Sequence, residues 1–144
     1  MSDRKSVFES EFPSTLEDMA DTLRRALEWL LDRRWIEKGE EFCARLCLEE
    51  ALVNAVVHGN RGDQSRKVRL TVAEEGDCCR IAICDEGEGC CPEAARMPDA
   101  PAQRGRGLCL IRHFMDQVTY NREKHCLEMR MRRGAYTKGG SRHE

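Results

Sequence analysis

The chain has 144 residues, of which 40% are hydrophobic, and its 24 Lys and Arg against 26 Asp and Glu give a formal net charge of −2. This balance argues against a dedicated nucleic-acid binder, and the hydrophobic content argues against outright disorder. No apolar run is long enough to cross a bilayer and no signal-peptide segment follows Met1, so we expect a soluble, cytoplasmic protein with no membrane partner.

The N-terminal half is predicted to hold one strand and two helices. Alternating apolar and charged residues over 7–12 predict a half-buried edge strand. Residues 14–17, Ser-Thr-Leu-Glu, match a capping box with the serine as N-cap, so a first helix is expected to run from there to about Arg34. A second helix is expected over 38–58, ended by the turn-forming residues 59–63.

The C-terminal half changes to the two-residue period of strands. The predicted elements are a hairpin of strands 68–72 and 79–83, an irregular loop over 85–106, a short helix over 108–115, and a second hairpin of strands 118–121 and 127–131. This order favours an α+β fold, a two-layer α/β sandwich with helices on one face of a mixed, largely antiparallel sheet. We expect one domain over residues 1–133 and a disordered polar tail over 134–144.

Nine cysteines allow two interpretations. The odd count and the missing signal peptide argue against a disulfide framework. A metal or redox site near Cys84, Cys90, Cys91 and Cys109 is one hypothesis. Small apolar side chains that stay reduced are the favoured one, because free cysteine is among the most buried residue types.

The first segment whose side chains could bind a ligand or act in catalysis lies on the second predicted helix. Glu50 and Asn54 are four residues apart, so they share a helix face, and His58 extends the row by another turn. An Asn oxygen can ligate Mg²⁺, and a Glu can accept a proton from an attacking hydroxyl. A solvated polar stripe at the edge of the helix is the alternative.

The second segment follows a predicted buried strand. Asp85 stands at the end of the strand, followed by Gly87 and Gly89. A carboxylate there can accept a hydrogen bond from an exocyclic amine such as that of adenine, and the glycines permit close backbone approach to a ligand. An ordinary acidic turn is the alternative.

The third segment is the run Arg104, Gly105, Arg106, Gly107 and Leu108, directly before a predicted helix. Glycine-rich backbone that leads into a helix N-terminus binds anions, and the two arginines add charge complementary to phosphate. The run is neither a Walker A loop nor a dinucleotide fingerprint. A flexible basic loop is the alternative.

Taken in order, the three segments resemble the N, G1 and G2 boxes of the GHKL ATPases, which share the Bergerat ATP-binding fold. Residues 50–59 and 105–116 more closely resemble the stand-alone anti-sigma-factor serine/threonine kinases of bacteria. The resemblance covers roughly residues 8–131. It implies ATP and Mg²⁺ as cofactors and protein serine/threonine kinase activity.

The resemblance also implies a role for each candidate residue. Glu50 matches the general base, Asn54 the Mg²⁺ ligand and Asp85 the carboxylate that reads adenine. The other residues expected at the ATP site are His58, Gly87 and Gly89, together with Arg104, Gly105, Arg106, Gly107 and Leu108 at the phosphate-binding end of the lid. Cys126 stands where the family often has a Thr that joins the adenine network through water.

The partners implied by the resemblance are proteins. The phosphoacceptor in that family is a serine on a small anti-anti-sigma protein of the STAS fold, and the kinase, usually a homodimer, also sequesters a sigma factor. A nucleotide-gated anti-sigma binding module without kinase turnover is an alternative function. The catalytic domain of a sensor histidine kinase is a third, disfavoured because no helix pair with a phosphoacceptor His precedes the domain.

Overall fold

The computed structural model describes residues 7–87 and 115–132. Its strands and α-helices are β1 (Val7–Pro13), α1 (Leu16–Asp32), α2 (Glu41–Val53), β2 (Lys67–Glu75), β3 (Cys78–Cys84), β4 (Gln117–Asn121) and β5 (Cys126–Arg132). A short 3₁₀ turn, Lys38–Glu40, leads into α2, and a π-helical turn, Asn54–Gly59, follows it.

The five strands form one sheet in the order β1-β2-β3-β5-β4. All four pairings of the described strands are antiparallel, and both predicted hairpins are present. The first strand lies at the edge of the sheet, as its alternating pattern predicted. The α+β sandwich expected from the order of elements is therefore confirmed.

Strand alternation places the core on one face of the sheet. In β2 and β3, every second residue is buried, and Val72 pairs with Ile81, which pairs in turn with Met129 on β5. The helices cover this face with side chains at helical spacing: Met19, Leu23, Ala26, Leu27 and Leu30 on α1, and Ala44, Cys47, Leu48, Ala51 and Leu52 on α2. Each fully buried side chain of Leu or Ile size contributes about 1.5–3 kcal/mol relative to exposure.

The predicted cap of the first helix was wrong by one residue. Thr15, not Ser14, is the N-cap, and its hydroxyl oxygen accepts a hydrogen bond from the Asp18 amide at 3.0 Å. Ser14 is buried, and its hydroxyl donates to the carbonyl oxygen of Arg66 at 2.7 Å. Both residue types are good N-caps, and the tertiary bond to Arg66 decides between them.

The second predicted helix is three segments with different winding. Its limits match the prediction closely, but the last turn, Asn54–Gly59, is π-helical. The amide of Asn60 donates to the carbonyl of Ala55, five residues earlier, at 2.9 Å. A π turn of this kind is common at functional sites.

The expectation that the cysteines stay reduced was wrong for one pair. Cys84 and Cys126 form a disulfide between β3 and β5. The sequence did not indicate this pair, because the two cysteines are 42 residues apart and are brought together by the register of the strands. Within the described residues, Cys47 and Cys79 are fully buried, as apolar filler would be, and Cys43 and Cys78 are free.

Several predicted features lie outside the described residues. They are the loop from residue 88 onward, the short helix except for the buried Met115, the polar tail, and the cysteines Cys90, Cys91 and Cys109. Of the helices in the described ranges, none combines the length and the apolar character needed to span a bilayer.

Candidate functional site

Asp85 is the first residue after β3, where it leaves the sheet toward the end of α2. Its amide donates to the carbonyl of His125 at 3.1 Å, so the strand ladder extends one step beyond Cys84. Its carboxylate oxygen Oδ1 accepts from the Gly87 amide at 2.8 Å. These two bonds hold the carboxylate in a fixed position at the edge of the sheet.

Two glycines pack directly against this carboxylate. A Cβ atom on Gly59 would collide with the Asp85 carboxylate, and one on Gly87 would collide with the carbonyl oxygen of Gly59. The end of the π turn and the segment after β3 therefore approach more closely than any side chain allows. The structure thus brings Asp85 and Gly87, two predicted site residues, against the end of the helix that carries Glu50 and Asn54.

Asn60 forms hydrogen bonds to three parts of the chain near this contact: the residue after β1, the start of β2 and the segment after β3. Its oxygen Oδ1 accepts from the Glu86 amide at 2.8 Å. Its Nδ2 donates to Ser14 Oγ at 2.8 Å and to the carbonyl oxygen of Lys67 at 3.0 Å. Asn60 is fully buried, its bond to Ser14 is buried and the other two are partly buried, so the loss of these bonds would be costly.

The sequence prediction treated Asn60 as one of several turn residues and missed this role. The available signal was its place directly after His58 and Gly59 at the end of the polar row. His125 was also missed as a neighbour of Asp85. Its positive φ of 56° places it in a tight turn before β5, and its Nδ1 atom is buried without a hydrogen-bond partner in the described part of the chain.

The charge environment of Asp85 is mixed. Burial raises the pKa of the Asp85 carboxyl above its ordinary value, while the Gly87 amide and the charges of His125 and Arg66 oppose that shift. The net direction is upward because desolvation is the largest cause. A half-buried carboxylate of this kind gains from a ligand that brings hydrogen-bond donors.

Asn54 carries the second oxygen that a ligand could use. It stands one helical turn after Glu50, and its amide donates to the Glu50 carbonyl at the end of α2. Its side-chain oxygen Oδ1 is buried and has no hydrogen-bond partner within the ranges the structure describes. A neutral amide oxygen in this state suits a hard cation such as Mg²⁺.

Glu49 and Glu50 differ in their surroundings although they are neighbours. Glu49 lines the groove between α1 and α2, together with Arg24 and Arg45. Glu50 is not among the groove's lining residues; it stands on α2 four residues before Asn54. Glu49 therefore provides a matched control for experiments on Glu50.

The structure brings together only part of the predicted site. Glu50, Asn54, His58, Asp85 and Gly87 are described, and the helix from Glu50 to Gly59 ends against Asp85. Gly89, Arg104, Gly105, Arg106, Gly107 and Leu108 lie outside the described residues. In the ranges that are described, no group of three or more His, Cys, Asp or Glu side chains could hold a metal ion.

Comparison with known proteins identifies a matching domain family and several similar proteins. The model of the histidine kinase-like ATPase domain matches residues 12–133. The serine/threonine-protein kinase BtrW of Bordetella bronchiseptica is 33% identical over 113 residues, which cover 72% of this chain and 79% of that protein.

Two shorter matches are to proteins named anti-sigma F factor. The protein from Anoxybacillus flavithermus is 34% identical over 77 residues, which cover 49% of this chain and 53% of the relative. The protein from a Geobacillus species is 32% identical over 82 residues, which cover 53% and 56%. With most of its length matched by the domain model and its described strands and helices in the expected order, this chain belongs to the histidine kinase-like ATPase domain family.

Proposed function

We propose that the protein is an ATP- and Mg²⁺-dependent protein serine/threonine kinase that acts as an anti-sigma regulatory factor. The observation that carries the proposal is the contact of Asp85 with Gly59 and Gly87, because it holds a half-buried carboxylate in a fixed position against closely packed backbone. The names of the similar proteins, a serine/threonine kinase and two anti-sigma F factors, support the same function.

Asp85 is the residue proposed to recognise the base. Its Oδ1 already accepts one bond from the Gly87 amide, which leaves lone pairs for the exocyclic amine of adenine. Because Gly59 and Gly87 have no side chains, the end of the π turn and the segment after β3 can pack closely around this carboxylate. Gly89 and His58 are assigned to the same ATP site by resemblance.

Asn54 is the residue proposed to hold Mg²⁺. Its buried Oδ1 has no partner in the described residues, so a cation would satisfy an oxygen that is otherwise costly to bury. When bound, Mg²⁺ neutralises charge on the phosphate oxygens. Arg104, Gly105, Arg106, Gly107 and Leu108 are proposed to bind the same phosphates from the lid.

Glu50 is proposed as the general base. It stands one turn before Asn54 on α2, and we assign to it the role of accepting the proton of a substrate serine hydroxyl as that oxygen attacks the γ-phosphate in line. The substrate is proposed to be a serine on a STAS-type anti-anti-sigma protein. A sigma factor and a second copy of this chain are the other proposed partners, and we place the protein in the cytoplasm.

The test is phosphoryl transfer from radiolabelled ATP to STAS proteins encoded near the gene for this chain. We expect phosphoserine on one of them, located by mass spectrometry. Glu50→Ala is expected to lower the rate by roughly 10²–10⁴, while leaving ATP affinity within a few-fold. Glu49→Ala is the matched control and should retain nearly the full rate.

Two results would contradict the kinase assignment. Equal rates in the Glu50→Ala and Glu49→Ala variants would remove the general base from the mechanism. Nucleotide-dependent binding of a sigma factor with no phosphorylation of any STAS protein would favour the binding module without turnover.

A melting temperature that does not rise with ATP and Mg²⁺ would contradict nucleotide binding itself.

A further inference from the structure

The disulfide between Cys84 and Cys126 joins two residues that are register partners on β3 and β5. The next step of the ladder carries the hydrogen bond from the Asp85 amide to the His125 carbonyl. In an antiparallel ladder, hydrogen-bonded and non-hydrogen-bonded pairs alternate, so the cysteines occupy a non-hydrogen-bonded pair. Side chains of such a pair share one face and stand closest together, which favours a bond between them.

The position of this pair connects it to the proposed nucleotide site. Cys84 directly precedes Asp85, and Cys126 directly follows His125. The covalent bond and the Asp85–His125 hydrogen bond are thus consecutive links between the same two strands. Any change in the covalent link acts on the backbone that positions the Asp85 carboxylate.

The surroundings suit both the bonded and the reduced form. Cys126 Sγ lies 3.3 Å from the carbonyl oxygen of Lys124, so a reduced thiol there has an acceptor at hand. Cys84 is half-buried and lines a groove of about 610 Å³ on the sheet face opposite the helices, beside Ala82 and Arg69. Cys126 lines the same groove but is only 5% exposed, so a small sulfur reagent that enters the groove has readier access to Cys84.

The remaining cysteines of β3 lack this arrangement. Cys78 and Cys79 are neighbours in sequence, so their side chains point to opposite faces of the strand. Their register partners are Arg132 and Met131, neither of which can form a disulfide. Cys78 and Cys79 thus stand at the opposite end of β3 from Cys84, whose disulfide to Cys126 on β5 lies beside Asp85.

We propose that Cys84 and Cys126 are a reversible thiol–disulfide modification site, exchanged by a low-molecular-weight disulfide of the glutathione type, and that the bonded form binds nucleotide more tightly. The coupling to nucleotide rests on the proposed function. The bond fixes the end of β3 against the start of β5, which preorganises Asp85 before the nucleotide arrives.

The exchange proceeds in two balanced steps. The Cys84 thiolate attacks one sulfur of the small disulfide, forms a mixed disulfide and releases one small thiolate. The Cys126 thiolate then attacks the Cys84 sulfur and releases the second small thiolate. One small disulfide is thus reduced to two thiols while two protein thiols are oxidised to one disulfide, and excess small thiol reverses both steps.

The experiment compares ADP binding by the full chain after reduction and after equilibration with oxidised glutathione. Isothermal titration calorimetry measures the dissociation constant, and mass spectrometry of tryptic digests identifies the linkage. The expected linked peptides span residues 81–96 and 125–130, and fragmentation separates Cys84 from Cys90 and Cys91 in the first peptide. We expect roughly threefold to tenfold tighter ADP binding in the oxidised protein.

Two variants make the comparison specific. Cys126→Ser should abolish both the linked peptide and the difference in affinity between the two treatments, while Cys78→Ser should keep both. Failure to find the Cys84–Cys126 linkage, or equal ADP affinity in linked and reduced protein, would overturn the inference. Equal affinity leaves the proposed function intact, whereas absence of ADP binding in both forms overturns the proposed function together with the coupling.

Discussion

The two ends of strand β3 differ in how closely the backbone is packed and in whether the polar groups are buried or exposed. At the Asp85 end, Gly59 and Gly87 leave no space for a side chain, and the fully buried Asn60 makes three side-chain hydrogen bonds. At the other end, Gly76 has open space around it in the turn to β2. There Glu75 forms ion pairs with two arginines at the surface.

The difference indicates where this chain depends on exact geometry. Buried polar groups at the Asp85 end have only one set of partners, so small displacements leave bonds unmade. Exposed groups at the Gly76 end can exchange their partners for water at little cost. Substitutions of the same chemical type should therefore have large effects at one end and small effects at the other.

The largest loss of stability is expected from Asn60→Ala. It leaves the Glu86 amide and the Lys67 carbonyl without their buried partner, so the free energy of unfolding should fall by roughly 2–4 kcal/mol. Asn121→Ala is the matched control, because its Oδ1 accepts from the Lys124 amide in an exposed turn. Chemical denaturation checks both, and similar losses would contradict the contrast between the two environments.

The next largest loss of stability is expected from Gly87→Ala. The new Cβ would meet the backbone carbonyl oxygen of Gly59, which cannot rotate away as a side chain can, so a cost of roughly 1–3 kcal/mol and loss of ADP binding are expected. Gly39→Ala is the control, since nothing lies within 4 Å of its added Cβ. Thermal unfolding with and without ADP measures both effects, and normal binding by Gly87→Ala would refute the close approach.

Asp85→Asn should affect binding more than stability. Burial raises the pKa of Asp85, so in the native protein the carboxyl takes up a proton at higher pH than in the unfolded chain. Between the ordinary and the raised pKa, the free energy of unfolding therefore falls as pH rises. ADP affinity should have the opposite pH dependence. It should weaken as pH falls through the raised pKa, because the carboxylate that accepts the hydrogen bond becomes protonated.

The Asn variant should bind ADP roughly tenfold more weakly near neutral pH, the effect of losing one good acceptor. It should also lose the pH dependence of affinity in the acidic range. Calorimetric titrations at several pH values test this, and an unchanged acidic profile in the variant would assign the titration to another group.

The smallest effect is expected from Glu75→Gln at the opposite end. The hydrogen bond from Arg80 at 3.0 Å is the largest cause that lowers the pKa of Glu75; desolvation opposes it, and the hydrogen bond from Arg130 at 2.9 Å lowers the pKa further. Its stabilising contribution is therefore present above its ordinary pKa and is lost as pH falls through the lowered one. Because the pairs are exposed, the loss should stay under about 1 kcal/mol and shrink in high salt, as chemical denaturation can measure.

Local patterns predicted most of the fold. The two hairpins follow from strict alternation on either side of short turns, and both helices carry apolar residues at helical spacing. The errors arose where the outcome depends on distant residues. Thr15 rather than Ser14 caps α1, because the Ser14 hydroxyl bonds to Arg66, 52 residues away. Local sequence patterns contain no information about that bond.

The candidate site was predicted as residue types rather than as contacts. The spacing of Glu50 and Asn54 and the order of Asp85 and Gly87 could be read from the chain. The bonds of Asn60 could not, because they join three segments that meet only in the folded molecule. The roles assigned to Glu50, Asn54, His58, Asp85 and Gly87, like those of Gly89 and residues 104–108, stay predictions.

The π turn of Asn54–Gly59 has a consequence for insertions and deletions. A π turn holds about one residue more than an α turn, so removing Val57 would leave enough chain to form ordinary α-helix. Asn60, then four residues after Ala55, would still donate to the same carbonyl oxygen, so Gly59 and Asn60 would keep their places beside Asp85. The same deletion inside α2, where no turn holds a surplus residue, would instead rotate every later residue by about 100° around the helix axis. The surplus residue of the π turn therefore makes the end of this helix tolerant of a one-residue deletion that the rest of the helix does not tolerate.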